Sequence, residues 1–206
     1  MAKATKTATK DLSAEEKIKS AAKKLFTQKG FAAVKTRDIA KEAGINLALL
    51  NYYFRSKEKL FEIIMHETVG QFMQVIADIV NNDETTIDEK IELLVNNYID
   101  MLTRLPDMPL FVMNHIKNNP QRIEMRQKFL GSYFMKQMQE AMKKGEIATM
   151  NPFNIMINIV GLTIFPFIAR NMVQNNHGIT SEQFNGLMQE RKKLIPKWIA
   201  AILKTK

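Results

Sequence analysis

The stretch TRDIAKEAGINLALLNYYF, residues 36–54, contains two short helical patterns separated by one glycine, Gly44. Two helices that cross at a steep angle need a small residue where they meet and a turn that tolerates a positive φ. Ala40 meets the first demand and Gly44 meets the second, while Leu50 supplies an apolar group that can seat the second helix on the first. The stretch therefore predicts a helix-turn-helix motif over about residues 35–54.

Longer helical patterns flank this motif on both sides. Ser13 followed by Glu16 is a capping-box signature, and it opens a helix that Gly30 closes. A fourth helix follows the motif and continues to about Val80. The candidate N-cap residues of these four helices are Ser13, Thr36, Asn46 and Ser56.

The sequence beyond residue 80 is helical in character throughout. Its helix-start signals are Thr86 with Glu89, Asn119-Pro120, Asn151-Pro152, and Thr180 with Gln183. The helices that they predict span residues 87–104, 121–144, 153–175 and 181–203. Pro166 and Pro196 lie inside these patterns and predict kinks. With no strand pattern, the chain is predicted to be all-α with about nine helices.

The bulk composition of the 206 residues is that of a globular protein, with 46% hydrophobic and 25% charged residues. There is no cysteine, which excludes disulfides and thiolate metal sites and fits a reducing compartment. The longest apolar run, residues 159–169, is about half as long as a membrane-spanning helix, and the N-terminus has no apolar signal-peptide core. We expect a cytoplasmic protein of the bacterial cytosol and nucleoid, without a membrane partner. Its expected parts are a disordered basic arm (1–11), a helix-turn-helix domain (12–60) and a helical domain (61–206).

The net charge of +9 is concentrated near the N-terminus. Residues 1–60 contain 14 Lys or Arg and 6 Asp or Glu, whereas the rest of the chain contains 16 and 15. A basic segment suits a polyanion, because each contact with a phosphate releases condensed counterions. A solvated basic face that only aids solubility has the same charge, so charge alone leaves both interpretations open.

The segment LNYYFRSKEKLF, residues 50–61, adds a more specific signal to the helix-turn-helix. Together with TRDIAKEAGIN (36–46) and the preceding Phe26 and Gly30-Phe31, it resembles the DNA-binding domain of the TetR (tetracycline repressor) family over about residues 13–62. The resemblance implies an N-terminal three-helix DNA-binding domain and a C-terminal helical domain for ligand binding and dimerisation. It further implies a homodimeric repressor that a small effector of unknown identity releases from a pseudo-palindromic DNA operator.

Carried over by position, the resemblance assigns residues 46–54 to the recognition helix in the major groove. Three side chains would contact phosphates: Thr36, Tyr52 and Lys57. Arg37 and Arg55 are further basic candidates, which the sequence does not rank between base and phosphate contacts.

The residues expected to meet the bases depart from the commoner family pattern. Leu47 and Ala48, next to the cap Asn46, can press on thymine methyl groups, and Asn51 can pair with adenine. An operator rich in A·T follows from this interpretation. In the alternative, Leu47 or Leu49 only helps to bury the helix.

The C-terminal domain holds the predicted dimer interface and a predicted ligand pocket. The helix 153–175 is apolar almost all round and needs cover on several sides, and with 181–203 it would form the two-fold seam. Twelve of the 14 methionines lie after residue 65, and soft side chains suit an apolar or amphipathic ligand, although such residues equally form plain core. The candidate ligand-binding residues are Phe72, Met101, Phe111, His115, Phe134, Met138 and Phe165.

Two other functions compete with this interpretation. An enzyme is disfavoured, because His66, His115 and His177 form no His-Glu-x-x-His pattern and no phosphate-binding or nucleophile motif is present. No catalytic residue, metal or cofactor is therefore predicted. The alternative is a helical protein that binds nucleic acid without sequence preference; it shares the basic arm and would not lose discrimination on Asn51→Ala.

Overall fold

The computed structural model describes residues 13–118 and 130–205, and within these ranges the chain is helical without a strand. Ten helices are present in the described part: α1 (Ala14–Lys29), α2 (Thr36–Glu42), α3 (Leu47–Phe54), α4 (Lys57–Asn81), α5 (Ile87–Arg104), α6 (Met108–Asn118), α7 (Tyr133–Lys143), α8 (Phe153–Ile168), α9 (Arg170–His177) and α10 (Ser181–Lys204). The all-α prediction is confirmed. The predicted arm, residues 1–11, and the start of the predicted helix 121–144 lie outside the described residues.

The chain divides into two compact units, Met1–His66 and Glu67–Lys206. In the first unit α2 packs against both α1 and α3. Fully buried aliphatic side chains from all three helices form its core, including Ile18, Ile39 and Leu50. An aromatic cluster of Phe26, Phe31 and Phe61 adds to it, with the Phe31 and Phe61 rings 4.5 Å apart.

The turn of the helix-turn-helix motif has the geometry that the sequence predicts. Gly44 has φ +67°, a value that a residue with a Cβ rarely adopts, and Ala40 is buried at the crossing. One cap prediction is wrong by a residue: Thr36 is the first helical residue, and Lys35 occupies the N-cap position. Asp38 lies in the first turn of α2, and its carboxylate caps the helix N-terminus by accepting the Lys35 backbone N–H at 3.1 Å.

The second unit is organised around α5, which packs against α7, α8 and α10. Its buried face recurs at helical spacing, with Ile91, Leu94, Val95 and Ile99 almost completely inaccessible to solvent. The capping boxes Thr86–Glu89 and Thr180–Gln183 both form, and each fixes the first turn of its helix as predicted.

Two predicted helices are interrupted. The helix expected over 121–144 has a turn at Gly131, and α7 begins after Ser132, whose hydroxyl accepts the Met135 N–H at 3.4 Å. The helix expected over 153–175 breaks at Ala169 and bends by 56° there, shortly after Pro166. By contrast, α10 continues unbroken past Pro196, so that predicted kink does not interrupt the helix.

Within the described ranges no single helix has the length and apolarity to cross a membrane. Only the bent pair Phe153–Ile168 and Arg170–Asn176 passes that test when the two helices are counted together.

Candidate nucleic-acid interface and the apolar face

Helix α3 has one buried face and one solvent face. Leu50 and Phe54 are buried in the first unit, and Leu47 and Leu49 are half-buried. Ala48, Asn51 and Tyr52 point outward, with Tyr52 80% exposed. Leu50 and Phe54 therefore hold α3 against the first unit, with partial burial of Leu47 and Leu49. Ala48, Asn51 and Tyr52 remain accessible to a partner.

Asn46 performs the capping role that the sequence predicts. Its side-chain oxygen accepts the Leu49 backbone N–H at 2.8 Å, which satisfies one of the free donors at the start of α3. The acceptor of this side chain is thus used within the helix.

A shallow groove of about 490 Å³ runs between the segment before α2 and the turn that joins α3 to α4. It brings together Thr36, Asn51 and Lys57, three of the residues predicted to contact DNA, with Lys35 and Arg55. Thr36 is half-buried there, while Arg37 is exposed and does not line the groove. Its lining contains three cationic residues, Lys35, Arg55 and Lys57, and one carboxylate, Glu58.

Lys57 does not point freely into this groove. Its ammonium donates to the backbone carbonyls of Phe31 at 3.0 Å and Val34 at 2.9 Å, and it lies 4.1 Å from the centroid of the Phe31 ring. The side chain thereby ties the segment before α2 to the first turn of α4.

Arg55 ends α3 in a strained backbone conformation. Its φ is +55° and its ψ is −40°, and it is the one non-glycine residue with a positive φ in the described part of the chain. The Ser56 N–H donates to the Phe54 carbonyl at 2.5 Å, so the chain makes a three-residue γ-turn centred on Arg55. Such a conformation costs on the order of 1–3 kcal/mol for a residue with a side chain.

The second unit exposes large apolar side chains on α8, α9 and α10, which together are called the apolar face. Phe153, Ile157 and Phe165 are 36%, 52% and 61% exposed and lie on one stripe of α8, with Gly161 between them. Met172 of α9, and Leu187 and Trp198 of α10, are exposed as well. Large apolar side chains with no cover mark a surface that associates with another apolar surface.

Arg191 of α10 compensates for the missing backbone N–H of Pro166 in α8. Pro166 has no N–H, so the Leu162 carbonyl one turn earlier loses its helical partner. Arg191 of α10 donates to that carbonyl at 2.8 Å, and its guanidinium lies 5.3 Å from the Trp198 ring. Burial lowers the pKa of Arg191 from its usual value.

The predicted ligand residues within the described part of the chain differ in burial. Phe72, Phe134 and Met138 are buried, and Met101 and Phe111 are half-buried. Phe165 lies on the exposed stripe of α8. The His115 side chain lies outside the described residues. A groove of about 940 Å³ between α5 and α10 is lined mostly by polar and charged side chains, and none of the seven contributes to it.

Two polar side chains in the second unit were not singled out from the sequence. Tyr98 packs against Phe72 with ring centroids 4.9 Å apart, and burial raises the pKa of its phenol to about 12. Lys90 is buried and donates to the carbonyl and hydroxyl oxygens of Thr85. Tyr98 lies one and two turns from Leu94 and Ile91 on the buried face of α5, and that spacing is the signal that could have identified it.

In the described residues, no three His, Cys, Asp or Glu side chains come close enough to hold a metal ion. The fold of the first unit and the outward face of α3 are those of a helix-turn-helix DNA-binding domain.

Comparison with known proteins identifies relatives of this chain. Residues 18–64 match the model of the bacterial regulatory proteins of the tetR family. The chain is 25% identical to YttP, a probable HTH-type transcriptional regulator of Bacillus subtilis (strain 168), over 76% of this chain and 78% of that protein. It is 40% identical to the HTH-type transcriptional repressor BdcR of Escherichia coli (strain K12), over 39% of this chain and 41% of that protein.

A solved structure shares the fold over nearly the whole chain. It is a TetR transcription regulator from Haloarcula marismortui, with a TM-score of 0.59 and 16% identity over 93% of this chain and 98% of that one. Residues 18–64 are therefore a tetR-type DNA-binding domain, and over most of its length the chain resembles transcriptional regulators.

Proposed function

We propose that this chain is a homodimeric repressor that binds a pseudo-palindromic operator and leaves it when a small apolar or amphipathic effector binds. The observation that carries the proposal is the outward face of α3, where Ala48, Asn51 and Tyr52 are free while Leu50 and Phe54 hold the helix in place. A helix seated in this way can enter a major groove with its base-reading side chains foremost.

The sequence of the operator follows from the chemistry of that face. Asn51 can make a bidentate contact with adenine, and Ala48 and Leu47 can meet thymine methyl groups. Tyr52 and Thr36 would donate to phosphates and fix the register without reading sequence. We therefore expect half-sites that are rich in A·T.

Dimerisation through α8, α9 and α10 is supported by the apolar face described above. A single helix-turn-helix contacts too little DNA for specific binding, and a two-fold dimer places two recognition helices about 34 Å apart, one turn of the double helix. Phe165 and Trp198 would then be buried between two copies.

The effector would bind among apolar side chains of the second unit. Phe111 and Met101 are half-buried and could line its entrance, and Met138 could adapt to its shape. Binding would favour a conformation in which the two recognition helices no longer match successive major grooves.

The test of the DNA-binding part is selection of duplexes from a random library at about 150 mM salt. The wild type should enrich a two-fold symmetric motif. Asn51→Ala should alter one base preference in each half-site, and Tyr52→Ala should weaken binding to all sequences alike. Binding without any enriched motif, unchanged in both variants, would instead favour a protein that binds nucleic acid without sequence preference.

The effector part is tested with the duplex recovered from that selection. A panel of apolar and amphipathic compounds is screened for release of the protein from the duplex. Phe111→Ala should raise the half-maximal concentration of an active compound at least about tenfold and leave the affinity for DNA unchanged. Leu93→Ala, which truncates an exposed residue of α5, is the matched control. Equal responses of the two variants would place the effector elsewhere.

A further inference from the structure

The turn between α3 and α4 contains two cations, Arg55 and Lys57, that differ in what they contact. Lys57 has two of its three N–H donors on the Phe31 and Val34 carbonyls and its charge against the Phe31 ring. Only its third N–H is left for a phosphate, and movement of the ammonium further into the groove would free two carbonyls in the segment before α2. The position of Lys57 therefore favours a role inside the domain.

Arg55 has the opposite character. Its side chain is exposed, and no hydrogen bond or ion pair with another described residue engages its guanidinium. It lines the groove beside Thr36 and Asn51, where Lys35, Arg55 and Lys57 contribute three positive charges against the carboxylate of Glu58. A planar guanidinium with free donors in such a groove can bind a phosphate with two parallel hydrogen bonds.

The backbone conformation of Arg55 is a second, independent observation in favour of a phosphate contact. At φ +55° a glycine would be far less strained than an arginine, so stability alone does not account for the residue at this position. The γ-turn sets Arg55 at the end of the recognition helix, one turn after Asn51. The strain is then a property of the binding site.

We propose that Arg55 binds a DNA phosphate in the groove between the segment before α2 and the α3–α4 turn, and that Lys57 is a positioning residue holding that segment in place. The proposal rests on the proposed DNA-binding function and names the cation that makes this contact. It shifts the charged contact from the lysine, where the family resemblance had put it, to the arginine two residues earlier.

The test is the salt dependence of binding to a mixed-sequence 20-base-pair duplex, measured with the full chain by fluorescence anisotropy. Each phosphate contact contributes about −0.9 to the slope of log affinity against log salt. Arg55→Gln should make the slope less steep by about one and weaken binding about fivefold at 150 mM salt. Lys57→Met should change the slope by less than half as much, and its main effect should be a lower unfolding temperature.

The Arg55→Gly variant distinguishes the effect of backbone strain at this position from the effect of the phosphate contact. This variant should unfold at a higher temperature than the wild type and still bind the duplex as weakly as Arg55→Gln. Lys59→Gln is the matched control, because Lys59 is an exposed cation of the same region whose charge is paired with Glu62 at 2.8 Å. Its affinity for the duplex should stay within about twofold of the wild type.

The outcomes distinguish this proposal from the function on which it rests. If Arg55→Gln leaves the slope unchanged while Lys57→Met lowers it by about one, the assignment of the two cations is wrong, although DNA binding stands. If Arg55→Gln keeps the slope and loses one base preference on the selected duplex, Arg55 reads a base and the proposal fails. A wild type that binds no duplex at low salt would overturn the DNA-binding function itself.

Discussion

The two units of the chain expose different kinds of side chain. Among the described residues of the first unit, the large hydrophobic side chains that are exposed are Tyr52 and Tyr53, each with a hydroxyl for a polar partner. In the second unit, exposed Ile157, Phe165 and Met172 have no such group. The first surface therefore suits a hydrated, charged partner, and the second suits an apolar surface such as its own copy. Most of the basic excess lies in the first unit as well.

Both units contain a cationic side chain that satisfies backbone carbonyls. In each, a cation on one helix donates to backbone carbonyls that lack a helical partner: Lys57 to Phe31 and Val34, and Arg191 to Leu162. A buried carbonyl without a donor costs about 1–3 kcal/mol, so both side chains contribute to the fold. Charge alone does not distinguish such a residue from one that contacts a ligand.

The largest effect that this comparison predicts is on assembly. Phe165→Glu should raise the dissociation constant of the proposed dimer at least about 100-fold, because it would bury an unpaired carboxylate in both copies at once. The free energy of unfolding of the single chain should change by less than about 0.5 kcal/mol, since the side chain is 61% exposed there. Sedimentation equilibrium measures the first quantity and urea unfolding the second.

Leu93→Glu is the matched control for this prediction. Leu93 is an exposed apolar residue of α5, outside the stripe on α8, and its replacement should leave the dimer intact. A dimer that withstands Phe165→Glu and dissociates with Leu93→Glu would show that the second copy binds another face.

An intermediate effect is predicted for the carbonyl that Pro166 leaves without a partner. Arg191→Met should destabilise the fold by about 2 kcal/mol, because the Leu162 carbonyl loses its charged donor. In a Pro166→Ala background the alanine N–H can donate to the same carbonyl, and Arg191→Met should then cost less than about 1 kcal/mol. Urea unfolding at one fixed protein concentration measures this double-mutant cycle. An equal loss in both backgrounds would mean that Arg191 acts only through Trp198.

Local signals in the sequence predicted local structure well. The capping boxes at Ser13, Thr86 and Thr180 form as predicted, because both partners lie within one helical turn. Gly44 has the positive φ that the turn requires. The prediction of a continuous helix over 121–144 was wrong, because the spacing of its apolar residues continues through the interruption. Ser132 caps the helix that begins after it.

Contacts between distant residues set the limit of the sequence analysis. The partners of Lys57 lie 23 and 26 residues earlier in the chain, and no periodicity connects them. Phe165 lies on a helix that is apolar nearly all round, so its sequence could not show which face stays uncovered. The side chains on α3 were easier to place, because Leu50 and Phe54 fix its buried face by their spacing.

The smallest predicted effect separates capping from DNA contact at Asn46. Asn46→Ala should destabilise the fold by about 1 kcal/mol through loss of the bond to the Leu49 N–H. Asn46→Asp keeps an acceptor at a helix N-terminus, so its stability should match the wild type within about 0.3 kcal/mol. The same aspartate brings a negative charge to the proposed DNA surface and should weaken duplex binding about tenfold. If Asn46→Ala instead retains full stability and loses one base preference, Asn46 contacts a base and the observed cap contributes little.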